Sequence, residues 1–181
     1  MDSATQFHMV VFNEEPAIAG VSEGSPLVVT IQNGAMFQVA QEEMGENGSF
    51  SDASLRFATG ADLLVGQDVQ IRPGTAPTSG SVTTVTTDLV RLWPSQITGT
   101  VGSVDTSAGT FTLTGLSPLF TGAMPAVTTI TVETLSGMLV MDGSGSGLPA
   151  VSGTVSVKGL LFNTSGAPTL VTRRMREQHN D

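Results

Sequence analysis

The sequence predicts an all-β protein built as a tandem pair of small five-stranded antiparallel barrels, and three observations lead there. Hydroxyl-bearing and branched residues dominate: 24 Thr and 18 Ser accompany 21 Gly among 181 residues, together with short valine-rich runs. Branched Cβ atoms suit the pleated, half-buried surface of a sheet better than a helix. Next, VGQDVQIRPGTAPTSGSVTTVT (65–86) returns without a gap as VSGTVSVKGLLFNTSGAPTLVT (151–172), an offset of 86. Eight of the 22 aligned positions are identical: Val65/Val151, Val69/Val155, Thr78/Thr164, Ser79/Ser165, Gly80/Gly166, Thr83/Thr169, Val85/Val171 and Thr86/Thr172. Solenoid periods run at roughly 20–50 residues, so this longer offset fits duplication of a whole small domain. Finally, each half holds about five strand-like runs, with an irregular link before the last two.

In the first half, FHMVVF (7–12) is the opening strand. PLVVTIQ (26–32) and MFQVA (36–40) flank Asn33-Gly34, a dipeptide that tolerates positive φ and marks a hairpin turn. QEEMGENGSFSDAS (41–54) is acidic and without period, hence a loop; ADLLVG (61–66) is read as a single helical turn. VQIRPG and SVTTVTTDLVRLW then supply the last two strands. The second half follows with QITGTVGSVD (96–105), a DTSAG turn and TFTLTG (110–115), where Phe111 and Leu113 share one face. After LSPLFTGAMPA come TTITVET (128–134) and a link, GMLVMDGSGSGLPA, expected to start with a turn of helix. GTVSVKGLLF and APTLVTRRMRE close the unit, and MREQHND forms a frayed tail.

Pro94 ends the preceding strand and restricts Trp93 to extended backbone, which places the boundary between repeats 1–94 and 95–181. Five short strands with a break before the fourth follow the order of an OB-type barrel, whose closure removes exposed edges. An immunoglobulin-like sandwich is the competitor, but it calls for about seven strands per 100 residues.

The segments ITGTVGSVDTSAGTFTLTG, TTITVET and VSGTVSVKGLLFNTSGAPTLVTRRMRE carry a resemblance. They are similar to a bacterial domain-of-unknown-function family with a G-T-V-x-x-V-D opening, a T-F-T-V strand and a V-G-x-x-V-x-V-x-G strand. The likeness covers 96–177 well, while 7–92 match mainly through LLVGQDVQIRPG and the final strand. It implies small OB-like repeats in exported proteins and lipoproteins, hence an extracellular or cell-envelope location, and it carries no catalytic residues to transfer.

Charge and composition narrow the function further. Seven Lys and Arg face sixteen Asp and Glu, and Lys158 is the only lysine. Phosphate backbones are bound chiefly by cations that release counterions, so no nucleic-acid partner is expected. Without cysteine there is no disulfide framework, thiolate metal site or cysteine nucleophile. No run approaches the roughly 20 apolar residues of a membrane helix, so no transmembrane segment is expected, and MDSATQFHMVVF lacks the basic start of an export signal.

Chemistry-bearing residues are sparse. His8 alternates in phase with Val10 and Phe12 and is expected to be a partly buried strand residue rather than a triad base; His179 lies in the tail. DGSGSG (142–147) resembles the start of a calcium loop, yet the twelfth position is Gly153 instead of a carboxylate. Glu14-Glu15, Glu42-Glu43 and Glu46 are read as solvated loop charge, although paired carboxylates could serve a hydrolase. Arg173, Arg174 and Arg176 cluster beside the tail. Arg91 and Trp93 share a face near a strand end and could stack as a small recognition platform, but Trp93 is expected to plug the seam between the barrels. The expectation is a non-catalytic structural or binding module without cofactor or metal, its partner a protein or polysaccharide of the cell envelope. Carbohydrate or oligonucleotide binding on an OB face and hydrolysis by loop carboxylates are the alternatives.

Overall fold

The computed structural model describes residues 5–15, 21–40, 56–74, 82–141 and 147–178, with backbone alone at 136–141 and 178. Among these residues the fold is all-β. Strands β1 (Gln6–Val10), β2 (Pro26–Val39), β3 (Asp68–Pro73) and β4 (Thr83–Trp93) form an open sheet in the order β1-β2-β4-β3. Strands β5 (Ser95–Asp105), β6 (Thr110–Thr114), β7 (Ile130–Met141), β8 (Thr154–Thr164) and β9 (Ala167–Gln178) close a barrel in the order β5-β6-β7-β9-β8. Pro94 alone separates the last strand of the sheet from the first of the barrel.

The two sheets share a wiring. The order β1-β2-β4-β3 corresponds to β6-β7-β9-β8, and the barrel adds β5, which pairs with β6 on one side and β8 on the other. The first half therefore has four strands among the described residues, not the expected five, and its sheet stays open. Nor is the pairing wholly antiparallel, because β2 runs parallel to β4 and β7 parallel to β9. Each parallel pair is joined by a long crossover that contains the intervening strand, as parallel neighbours require.

Irregularities recur at matching places. Ile31 pairs with Thr87 and Met36 with Leu89, so four residues of β2 face one of β4. Thr134 pairs with Thr172 and Leu139 with Arg174, again four against one. The Asn33-Gly34 turn falls in this bulge: Gly34 takes φ +80°, yet the flanking runs form one strand, because both pair with β4. Likewise GMLVM, expected to begin a helical turn, continues β7 beside β9. The helical turn instead lies at Pro118–Thr121, within the preceding connection, and places Phe120 in the barrel core.

A second bulge bends each terminal hairpin. Thr87 Oγ1 sits 2.9 Å from the Arg72 carbonyl and 2.7 Å from that of Leu89, and accepts the Leu89 N–H. Thr172 Oγ1 makes the same contacts to the Lys158 and Arg174 carbonyls, at 2.7 and 2.9 Å, and accepts the Arg174 N–H. Arg72 and Lys158 differ by 86, whereas Thr87 and Thr172 differ by 85. The gapless match thus holds for β3 and β8, and pairing shifts β4 against β9 by one residue.

This bulge has a consequence for side-chain direction. Val85 and Thr87 are buried, then Val90 and Leu92 are buried, so the inward phase flips across Asp88. Trp93 consequently points outward. The expected seam plug is replaced by other residues: Leu160, Phe162 and Val171, on the outer face of the barrel wall, join Phe7, Leu27, Val29, Val85, Val90 and Leu92 in one cluster. Leu161 and Leu170 face the opposite way, into the barrel with Phe111, Ile130 and Met175. The barrel wall thus covers the open sheet, and strands β8 and β9 serve two cores at once.

The segment before β3 ties these cores together. Phe57 and Leu63 enter the first cluster, Leu64 and Val65 pack on the second, and a capped 3-10 turn at Gly60–Asp62 lies between. Gln67 Nε2 donates to the Leu161 carbonyl at 2.9 Å, and Asn163 Nδ2 to that of Ala61 at 3.2 Å. Arg56 reaches Glu133 on β7 at 3.0 Å and lies 5.6 Å above the Phe162 ring.

Candidate functional site

The outward phase of β4 after its bulge sets Arg91 and Trp93 on one solvent-facing surface. The Arg91 guanidinium lies 5.5 Å from the Trp93 ring centroid, a cation–π distance. Gln70, cross-strand from Arg91, accepts the indole N–H through Oε1 at 3.3 Å. Gln38 flanks Arg91 on β2 and Asp68 faces Trp93 on β3. The indole is thus fixed by an edge hydrogen bond and a stacked cation, with amides and a carboxyl alongside. Such a surface can offer stacking and hydrogen bonding to a planar or hydroxylated ligand.

Asp68 sits beside the junction with the barrel. Its backbone N–H donates to Ser95 Oγ at 2.9 Å. Partial burial pushes its carboxyl above the usual range, opposed by the positive charge of Lys158. On the same outer face, Arg72 grips Asp88 through Nε (2.8 Å) and Nη2 (2.6 Å), which holds the Asp88 carboxyl below its usual range. The sequence reading brought Arg91 and Trp93 together correctly but missed Asp68, Gln70 and Gln38. The signal for two of them was the D-x-Q-x-R alternation of β3, which puts Asp68, Gln70 and Arg72 on one face.

Other candidates scatter. His8 is exposed rather than partly buried, because Phe7 and Val11 take the inward phase and leave Val10 (66% exposed) and Phe12 (86%) outside with it. Glu14 and Glu15 follow β1 in an irregular segment. Glu42, Glu43, Glu46, residues 142–146 of the glycine-rich run and His179 lie outside the described residues. Among the described residues no cluster of three His, Cys, Asp or Glu could hold a metal ion, and no helix is long and apolar enough to cross a membrane.

No family model matches the chain, and neither a curated protein nor a solved structure matches it.

Proposed function

We propose that the chain is a non-catalytic binding or structural module of an exported bacterial protein, made by duplication of an OB-like unit. The duplication is supported by the shared order β1-β2-β4-β3 and β6-β7-β9-β8, the parallel pair in each, and the threonine-bridged bulges at Thr87 and Thr172. The observation that carries the binding role is the Arg91–Trp93 stack, locked by Gln70 on an outward face although Trp93 is no part of the core cluster. A cell-envelope protein or polysaccharide is the proposed partner. The neighbouring Gln38, Gln70 and Asp68 favour the carbohydrate reading among the alternatives, since sugar hydroxyls need both an aromatic platform and fixed polar groups.

Trp93 is the only tryptophan, so its fluorescence reports on this face alone. Neutral oligosaccharides titrated into the full chain should give a saturable change in emission. Loss of that response in Gln70→Ala, with unchanged melting, would assign it to the stack. Silence toward sugars, combined with turnover of a chromogenic ester or glycoside that disappears in Glu14→Gln/Glu15→Gln, would replace the binding reading with the hydrolytic one.

A further inference from the structure

The corresponding outer faces of the two units differ sharply in charge. By strand pairing, Arg72, Asp88, Leu89 and Arg91 of the open sheet correspond to Lys158, Arg173, Arg174 and Arg176 of the barrel. In the open sheet the cation Arg72 is matched by a carboxylate, Asp88, in a two-point ion pair. In the barrel the carboxylate position is taken by a second cation, Arg173. Lys158 and Arg174 are directly opposed across the β8–β9 ladder, an arrangement of like charges that destabilises a sheet. Among the described residues no carboxylate lies within ion-pair distance of Lys158, Arg173 or Arg174, and Arg173 Nε is buried without a hydrogen bond. Four of the seven cationic side chains of an otherwise acidic chain thus gather on one ladder.

We propose that this face of β8–β9 docks an acidic, carboxylate-rich segment of a partner protein. The carboxylate class follows from the internal template, since Asp88 fills the corresponding position in the first unit. Complementarity of charge is local: the Debye length of about 10 Å at 0.1 M salt lets the patch act independently of the acidic remainder, while a long polyanion would meet that remainder. The closed barrel offers no free edge on β8 or β9, so recognition runs through side chains rather than strand addition. Lys158 and Arg174, opposed across the ladder, have Cβ atoms about 5 Å apart, close enough to hold neighbouring carboxylates of one extended peptide. The proposal does not require a ligand at the Arg91–Trp93 surface, although Asp68 at the edge of that surface feels the Lys158 charge.

The test uses the full chain and a fluorescein-labelled peptide of alternating Glu and Thr. Anisotropy at 50 mM salt should show saturable binding that weakens at least tenfold at 300 mM. Lys158→Gln/Arg174→Gln, both exposed positions, should weaken it at least fivefold with unchanged melting. Arg173→Asp, which rebuilds the ion pair of the first unit on the barrel, should weaken it by as much or more. Equal binding of a control peptide of alternating Gln and Thr, or no response to the substitutions, would overturn the proposal. Tighter binding of polyphosphate or single-stranded DNA would do so too, as would a salt-sensitive dimer of the chain without peptide, which would move the occupant to a second copy.

Discussion

Replacing Phe162 by Ala isolates what holds the open sheet to the barrel. Phe162 is fully buried, yet it projects from the outside of the barrel wall into the cluster of the neighbouring sheet. Truncating a buried Phe costs about 3–5 kcal/mol through lost transfer energy and the cavity left behind. The Arg56 guanidinium above the ring adds about 0.5–1 kcal/mol of cation–π attraction that would also go. For a chain of this size each kcal/mol shifts the melting point by about 2–4 °C, so the combined loss should lower it by about 7–24 °C. Leu161→Ala, one residue away and facing the barrel interior, is the matched control at about 2–5 kcal/mol. The distinguishing measurement is amide exchange. Phe162→Ala should release β1–β4 to local opening first, whereas Leu161→Ala should weaken β5–β9. A loss below 1 kcal/mol, or the same exchange pattern in both variants, would refute the idea that the barrel wall serves as the lid of the open sheet.

Further outcomes follow from the same geometry. Thr87→Val and Thr172→Val each remove a hydroxyl bridging two carbonyls at a buried bulge and should cost about 1–3 kcal/mol apiece in guanidinium melts; a cost in only one would contradict their equivalence. Residues 95–181 expressed alone should expose Leu160, Phe162 and Val171, bind the dye ANS and self-associate, and a clean monomer without dye binding would contradict the shared core. Asp88 is lowered by Arg72, so its contribution exists above the unfolded pKa near 3.8 and fades as pH falls through the lower folded value. The melting difference between the wild type and Asp88→Asn should therefore shrink toward zero on acidification below 3.8. Asp68 has the opposite sign: burial raises its pKa, so Asp68→Asn should be the more stable at neutral pH and lose that advantage as pH falls through the raised value. Parallel behaviour of the two variants would reject one assignment.

The strands themselves were legible because alternation is a local property: Phe111 and Leu113, or Ile130 and Val132, declare their inward phase within five residues. The two terminal hairpins were legible from the repeat. Trp93 was misplaced because a single bulge residue, Asp88, reverses the phase of everything after it, and nothing in the composition of TTDLVRLW marks that reversal. Parallel pairing of β2 with β4 was equally invisible, since Asn33-Gly34 sends the same local signal in a hairpin and in a bulge. The run Leu160-Leu161-Phe162 does not alternate, and unbroken apolar runs belong to strands buried on both faces. It announced a second core outside the barrel.

That two-sided burial removes a safeguard most strands possess. Ordinarily a one-residue slip turns every apolar side chain toward water, so the oil–water pattern alone fixes alignment. Along Leu160–Phe162 a slip would exchange one greasy environment for another and incur little penalty. Alignment of β8 must instead be enforced by shape, and Gly159 enforces it: a methyl group there would collide with the Val171 carbonyl. Either neighbour, Lys158 or Leu160, would bring such a carbon into that gap. Substitution of Gly159 should then yield a chain that still collapses and still hides its apolar residues, but with β8 threaded out of step against β9.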